Sequence, residues 1–252
     1  MKVKVLGYFE VSSNGARCTP KAPKVRQVLA LLALRSQQIV GLESLIEELW
    51  SEHPPRSAVT TTQTYVYQLR KSLLRLEADG RPVPALHTTP PGYTFDLERE
   101  HLDVFVFDEL TRRGRALFEE GDAAGAAQVL EQALSLWSGP ALGNVNCGPL
   151  LRRYTTHLEE QRSAALELRI AADMELGRYR HLIPELKSLV VAQPLNEWLH
   201  SQLIKALHQL NRRGEALRAY QDLRRILTEE LGLDPSPEVQ RIQQHVLSST
   251  AP

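Results

Sequence analysis

The 252-residue chain is longer than one ordinary domain, and 42 % hydrophobic residues supply apolar material for two separate cores. Thirty Lys and Arg balance thirty Asp and Glu, so the chain as a whole is neither a polycation nor an acidic tail, and the average composition excludes wholesale disorder. The longest apolar run, Val28 to Leu34, falls well short of the ~20 residues needed to cross a bilayer.

The start, Met1-Lys2-Val3-Lys4-Val5-Leu6, alternates charged and apolar residues with period two. It reads as a strand of a chain that stays in the cytoplasm, because a signal peptide carries a continuous apolar stretch. Ser12-Ser13-Asn14-Gly15 is a turn cluster that suggests a return strand, hence a small N-terminal sheet. A helix is expected from Pro23, with Val25, Val28, Leu29 and Leu32 on one face, and a shorter one over Leu42 to Trp50. Pro54-Pro55 stops any continuation. A third helix follows Ser57 as N-cap and runs to about Leu76. Gly80 and Pro82 mark a turn, and two β-prone runs around Pro90-Pro91-Gly92 make a hairpin. The expected boundary lies at 98, with residues 1–98 forming one domain and 99–252 another.

Everything after Asp103 reads as helix, cut by Gly121-Asp122, Ser138-Gly139-Pro140, Gly177, Pro194, Gly214 and Gly232 into roughly seven segments. Leu176-Gly177-Arg178 recurs as Leu210-Asn211-Arg212, 34 residues later, each between two amphipathic helices. That spacing is the tetratricopeptide period, in which stacked helix pairs leave a concave surface for partners; a plain helical bundle is the alternative. Charge is divided unevenly: through Leu97 twelve basic residues face eight acidic ones, and the remainder has the opposite imbalance. Such asymmetry points to nucleic acid as the partner of the first half.

The third helix carries the chemistry. At 100° per residue, Thr62, Tyr65, Val66, Leu69, Leu73 and Leu76 share one side. Thr60, Gln63, Thr64, Tyr67, Gln68, Lys71 and Arg75 share the other, with no carboxylate before Glu77. Amides pair with adenine edges, threonine methyls meet thymine methyls, and cations take guanine or phosphate, so this is the chemistry of a major-groove helix. A merely solvated face is the competing reading, but such faces usually interleave Glu with Lys at spacing four. Arg56 and Arg70 are placed for backbone phosphates. Lys24 and Arg26 are further candidates, since cations at a helix N-terminus oppose the macrodipole unless an anion such as phosphate compensates.

On these residues the chain resembles the Streptomyces antibiotic regulatory proteins in their small form. The resemblance rests on Pro23-Lys24-Val25-Arg26-Gln27-Val28-Leu29-Ala30-Leu31-Leu32, Leu45-Ile46-Glu47-Glu48-Leu49-Trp50, Thr64 to Leu73, Thr89-Pro90-Pro91-Gly92-Tyr93 and, near the other end, Glu229 to Glu238. It implies an α+β OmpR-type winged helix-turn-helix domain followed by an all-α tetratricopeptide-like bacterial transcriptional activation domain. It also implies binding to direct repeats near the -35 region of biosynthetic promoters as a side-by-side dimer, and recruitment of RNA polymerase holoenzyme, at the nucleoid. The loop Ser51 to Arg56 corresponds to the stretch through which such activators touch polymerase, and it can equally be a proline-stiffened connector. Related wings commonly carry a minor-groove arginine; here the tip is Thr88-Thr89-Pro90-Pro91-Gly92, leaving Thr88 and Thr89 as phosphate or sugar contacts.

The sequence carries none of the common catalytic or cofactor spacings. Eight histidines occur without HExxH, Cys18 and Cys147 without CxxC, and no GxxxxGK[ST] loop is present, so neither metal, nucleotide nor other cofactor is expected. The glycines from Gly139 to Gly148 beside Cys147 read as a helix-joining loop, and Glu119-Glu120, Glu159-Glu160 and Glu229-Glu230 as solvated helix faces. Two alternatives remain beside an activator: a tetratricopeptide adaptor that binds only protein, and an enzyme in the helical half with a buried cluster of titratable groups.

Overall fold

A computed structural model describes residues 1–78 and 84–248, with the side chains of 75–78 also left out; the turn expected at Gly80 and Pro82, and the Arg75 and Leu76 side chains, lie outside the described residues. The chain divides into two compact units, the first formed by Met1–Glu120 with Gln128–Leu168, the second by Gly121–Ala127 with Arg169 onward.

The first unit opens with three short antiparallel strands, β1 (Lys2–Lys4), β2 (Glu10–Ser13) and β3 (Ala16–Arg17), in the order β1-β2-β3. The Ser12 to Gly15 cluster does turn the chain, but it joins β2 to β3 with Asn14 and Gly15 in left-handed conformation; the partner of β1 is β2, with Val3 opposite Val11. Helix α1 (Pro23–Leu34) follows, then β4 (Val40–Gly41), α2 (Leu42–Trp50), α3 (Ala58–Ala78), β5 (Leu86–Thr89) and β6 (Gly92–Phe95). The last three strands form a second sheet in the order β4-β6-β5, so the hairpin gains a third strand from just before α2.

Helix α1 departs from the one-sided stripe that its spacing suggests. Residues Gln27 to Leu34 are all buried. A helix that is apolar all round belongs in an interior, and α1 packs against α2, α3 and β6. Beyond the hairpin come α4 (Asp103–Glu119), α5 (Ala123–Ser135) and α6 (Pro149–Glu175).

The part of this helical segment that lies in the first unit is tied to the N-terminal sheet by directed bonds. The Asp103 carboxylate accepts from the Val5 and Leu6 N–H groups at 2.9–3.1 Å. The Asn144 amide accepts from Phe9 N–H and donates to its carbonyl, while Phe107 and Trp137 meet edge to face at 5.5 Å.

The second unit continues with α7 (Tyr179–Ala192), α8 (Glu197–Gln209), α9 (Arg213–Leu231) and α10 (Pro237–Ser248). Gly177 and Asn211, equivalent positions of the 34-residue repeat, both take the left-handed conformation, at φ 67° and 56°. Each ends one helix and lets the next fold back, which is the device the repeat requires. Helices α7, α8 and α9 pack in series and enclose a groove of about 710 Å³, lined among others by Val190, Val191, His200, Leu203 and Ile226. No helix among the described residues is long and apolar enough to cross a membrane.

Candidate nucleic-acid interface

Helix α3 is fixed by its inner face. Thr62, Val66, Leu69 and Leu73 are buried, and the Thr62 hydroxyl donates to the Ala58 carbonyl at 2.8 Å, so no unpaired polar atom enters the core there. At the helix start Ser57 is the capping position, its carbonyl accepting from Thr61 N–H. The outer face presents Thr60, Gln63, Thr64, Tyr67, Gln68 and Lys71, all exposed, with Tyr67 64 % accessible. No acidic side chain is paired with any of them among the described residues. Arg56 is exposed just ahead of the helix, within Ser51 to Ser57, every residue of which is exposed.

Arg70, Thr88, Thr89, Lys24 and Arg26 are engaged by the protein itself. Arg70 donates from Nε to the Leu86 carbonyl at 3.1 Å and from Nη2 to the Thr88 hydroxyl at 2.7 Å, with its guanidinium 5.7 Å from the Tyr93 ring centroid. It ties the third helix to the β5–β6 wing. Thr89 accepts from the Thr94 hydroxyl, so both wing threonines are oriented by intramolecular bonds. Lys24 donates to the Leu49 carbonyl and lies over the Trp50 ring. Arg26 donates to the carbonyls of Pro20, Lys21 and Asn144. At the N-terminus of α1 these two cations are held by carbonyl oxygens of neighbouring segments. Sequence spacing could not show this, because Asn144 and Leu49 are distant along the chain.

Three exposed residues of α3, Val59, Ser72 and Leu74, fall on neither face of the sequence reading. Val59, in the first turn, is 48 % accessible, and the signal that could have found it is its place four residues before Gln63.

Several groups of the kind an enzyme would need are engaged separately. Glu48 accepts backbone N–H groups, Asp173 pairs with Arg169 and Arg178, and His200 bonds the Pro194 carbonyl. Burial pushes the Cys147 thiol up to about 11, with the Glu48 charge adding to the rise, so it is a poor nucleophile. Glu159 does more than solvate its helix, since it accepts from Ala141 N–H at 2.9 Å and so fastens the glycine loop to α6. Glu98, Glu100 and His101 bring ligand atoms within 4.8 Å of one another on an exposed turn, as acidic surface groups commonly do without an ion.

A three-helix core with a β-hairpin wing and a third helix whose exposed face carries no carboxylate before Glu77 defines a winged helix-turn-helix transcription regulator, here joined to a helical domain. Family comparisons agree in both halves. Residues 17–95 match the family described as transcriptional regulatory protein, C terminal, and residues 102–247 match the bacterial transcriptional activator domain. The chain belongs to the Streptomyces antibiotic regulatory protein family, whose members are transcription regulators and not enzymes. It is 38 % identical to the regulatory protein DnrI of Streptomyces peucetius over 98 % of this chain and 92 % of that one. It is 34 % identical to the regulatory protein AfsR of Streptomyces griseus over 98 % of its own length but only 24 % of AfsR. A solved structure of Mycobacterium tuberculosis EmbR in complex with low affinity phosphopeptide aligns with a TM-score of 0.87 at 31 % identity, covering 98 % of this chain and 64 % of EmbR.

Proposed function

We propose that this protein is a pathway-specific activator of an antibiotic biosynthetic gene cluster, which binds direct repeats near the promoter -35 region as a side-by-side dimer and recruits RNA polymerase holoenzyme. The observation that carries the DNA half is the outer face of α3, where Gln63, Gln68 and Lys71 stand exposed with no carboxylate among them. In this reading Thr60, Gln63, Thr64, Tyr67 and Gln68 face base edges, while Arg56, Lys71 and Arg75 contact guanine or phosphate. Arg70 holds the wing, with Thr88 and Thr89 beside the sugar-phosphate backbone. The exposed loop Ser51 to Arg56 is the surface offered to polymerase.

The test is footprinting of the purified chain on the promoters of a neighbouring gene cluster, followed by binding measurements over a range of salt. Protected direct repeats and an affinity that falls steeply with salt are expected, each neutralised phosphate contributing a slope of about 0.9 in log–log form. The double variant Thr64→Ala with Gln68→Ala should lose sequence preference. Intact affinity and preference in that variant would remove α3 from the interface. An adaptor that binds only protein would show no preference for repeat-containing DNA at all.

A further inference from the structure

We propose that Val59 and the methyl group of Thr64 read thymine 5-methyl groups in the operator, making methyl contact a source of its sequence selectivity. The inference rests on α3 entering the major groove. From sequence Thr64 can offer the groove its hydroxyl or its methyl group, and in the structure its hydroxyl donates to the Thr60 carbonyl at 2.9 Å. The same back-bonding uses the hydroxyl of Ser72, on Gln68, while that of Thr61 turns to Ser57 Oγ. A hydroxyl whose hydrogen is taken offers the groove its methyl group and, at most, an oxygen lone pair.

Val59 supplies the second apolar element. A β-branched residue open to solvent gains nothing from helix propensity, and Val59 is half exposed at the border of the packed face, about 20° round the helix from buried Val66 and about 40° from exposed Gln63. At 100° per residue Val59 and Thr64 bracket Gln63, Thr60 and Tyr67. They are about 7.5 Å apart along the helix axis, which places their contacts on different base pairs. In the major groove thymine shows one acceptor and the 5-methyl group, and only thymine among the four bases carries that methyl. The amides of Gln63 and Gln68 are left to pair with adenine N6 and N7. A set of two amides flanked by methyl groups, with no carboxylate to accept from cytosine N4, fits a half-site whose core is A·T pairs.

The experiment uses the full chain. An operator is selected from random-sequence DNA, and each thymine is then replaced by deoxyuridine, which removes the 5-methyl group and leaves every hydrogen-bonding edge intact. Affinities are read by fluorescence anisotropy at fixed salt. One or two positions should weaken about fourfold each, the factor expected from burying one methyl group. Val59→Ala should abolish the penalty at one position. Thr64→Ser, which keeps the hydroxyl, should abolish it at the other, while Thr64→Val, which keeps methyl groups, should retain it. Circular dichroism verifies that the variants are folded. Selective binding with every deoxyuridine substitution neutral, or penalties unchanged in Val59→Ala and Thr64→Ser, overturns the inference and leaves the activator reading standing. Failure to select any preferred sequence overturns the activator reading itself.

Discussion

Glu48 is only 1 % exposed, yet among the described residues no cation is bonded to it; its two oxygens accept from Gly148, Leu150 and Leu151 N–H at 2.6–2.9 Å and from the Gln27 amide at 2.9 Å. Three of these donors lie at the start of α6, where unpaired N–H groups and the positive end of the helix dipole both favour a carboxylate. Glu48→Ala leaves three N–H groups to find water or go without, and we expect a loss of at least about 3 kcal/mol in urea unfolding. Glu48→Gln, with one acceptor oxygen instead of two, should fall between. The sequence placed Glu48 in a recognisable stretch, Leu45 to Trp50, but could not assign it a role, since its partners are a hundred residues away. Asp103 behaves differently. Burial raises its carboxyl from 3.8 to about 6, outweighing the opposing Val5, Leu6 and Val104 N–H groups and the Lys4 charge. Between those two values the folded chain binds the extra proton, so the Asp103 contribution to stability is largest below about 4 and declines as pH rises towards 6. Wild type should therefore lose ground to Asp103→Asn over that window and hold a constant difference above it. Paired unfolding curves at several pH values check this, and a difference that is flat from pH 4 to 7 would refute the shifted carboxyl.

The long periodic elements were legible because their signals are local. Helices α1, α2 and α3 begin where Pro23, Leu42 and Ser57 indicate, and the hairpin forms around Pro90-Pro91-Gly92. What the sequence concealed was contact between elements: the two residues of β4 are too short to give an alternation, and the link from Arg70 to Leu86 and Thr88 joins residues 16 and 18 positions apart. The same holds for the interface. Spacing alone separated the inner and outer faces of α3, but only atomic positions reveal that the Thr64 hydroxyl is bonded back to its own helix and that Lys24 and Arg26 are held by carbonyls. The 34-residue repeat offers a test of how much one left-handed residue contributes. At Gly177 an added Cβ would meet only Tyr179, at an ordinary 3.8 Å, so the cost of Gly177→Ala is almost purely that of φ 67°. We expect a loss of about 1–2 kcal/mol, seen as a lower melting temperature. Asn211→Gly, at the equivalent turn, should be neutral or slightly stabilising, because asparagine already tolerates this conformation.

The family blocks meet between residues 95 and 102, and a boundary at 98 is where composition and motif order place the division. Packing draws the first compact unit further, through Glu120 and again from Gln128 to Leu168. The reason is chemical. The N-terminal sheet gives its Val5 and Leu6 N–H groups to Asp103, its Phe9 N–H and carbonyl to Asn144, and α2 gives Glu48 to the start of α6. Residues 1–98 made alone would carry a buried carboxylate and at least three backbone polar groups stripped of their partners, alongside newly exposed Val5, Leu6 and Phe9. Each unsatisfied group is worth about 1–3 kcal/mol, and small domains hold only about 5–15 kcal/mol in all. The fragment should therefore melt far below the intact chain and bind DNA weakly. Glu48→Gln introduced into the fragment should have little further effect, because the three backbone bonds from Gly148, Leu150 and Leu151 are already gone and only the Gln27 amide remains bonded to Glu48. If the fragment instead matched the full chain in melting temperature and operator affinity, the bonds from Asp103, Asn144 and Glu48 would be incidental, and the DNA-reading half would be autonomous.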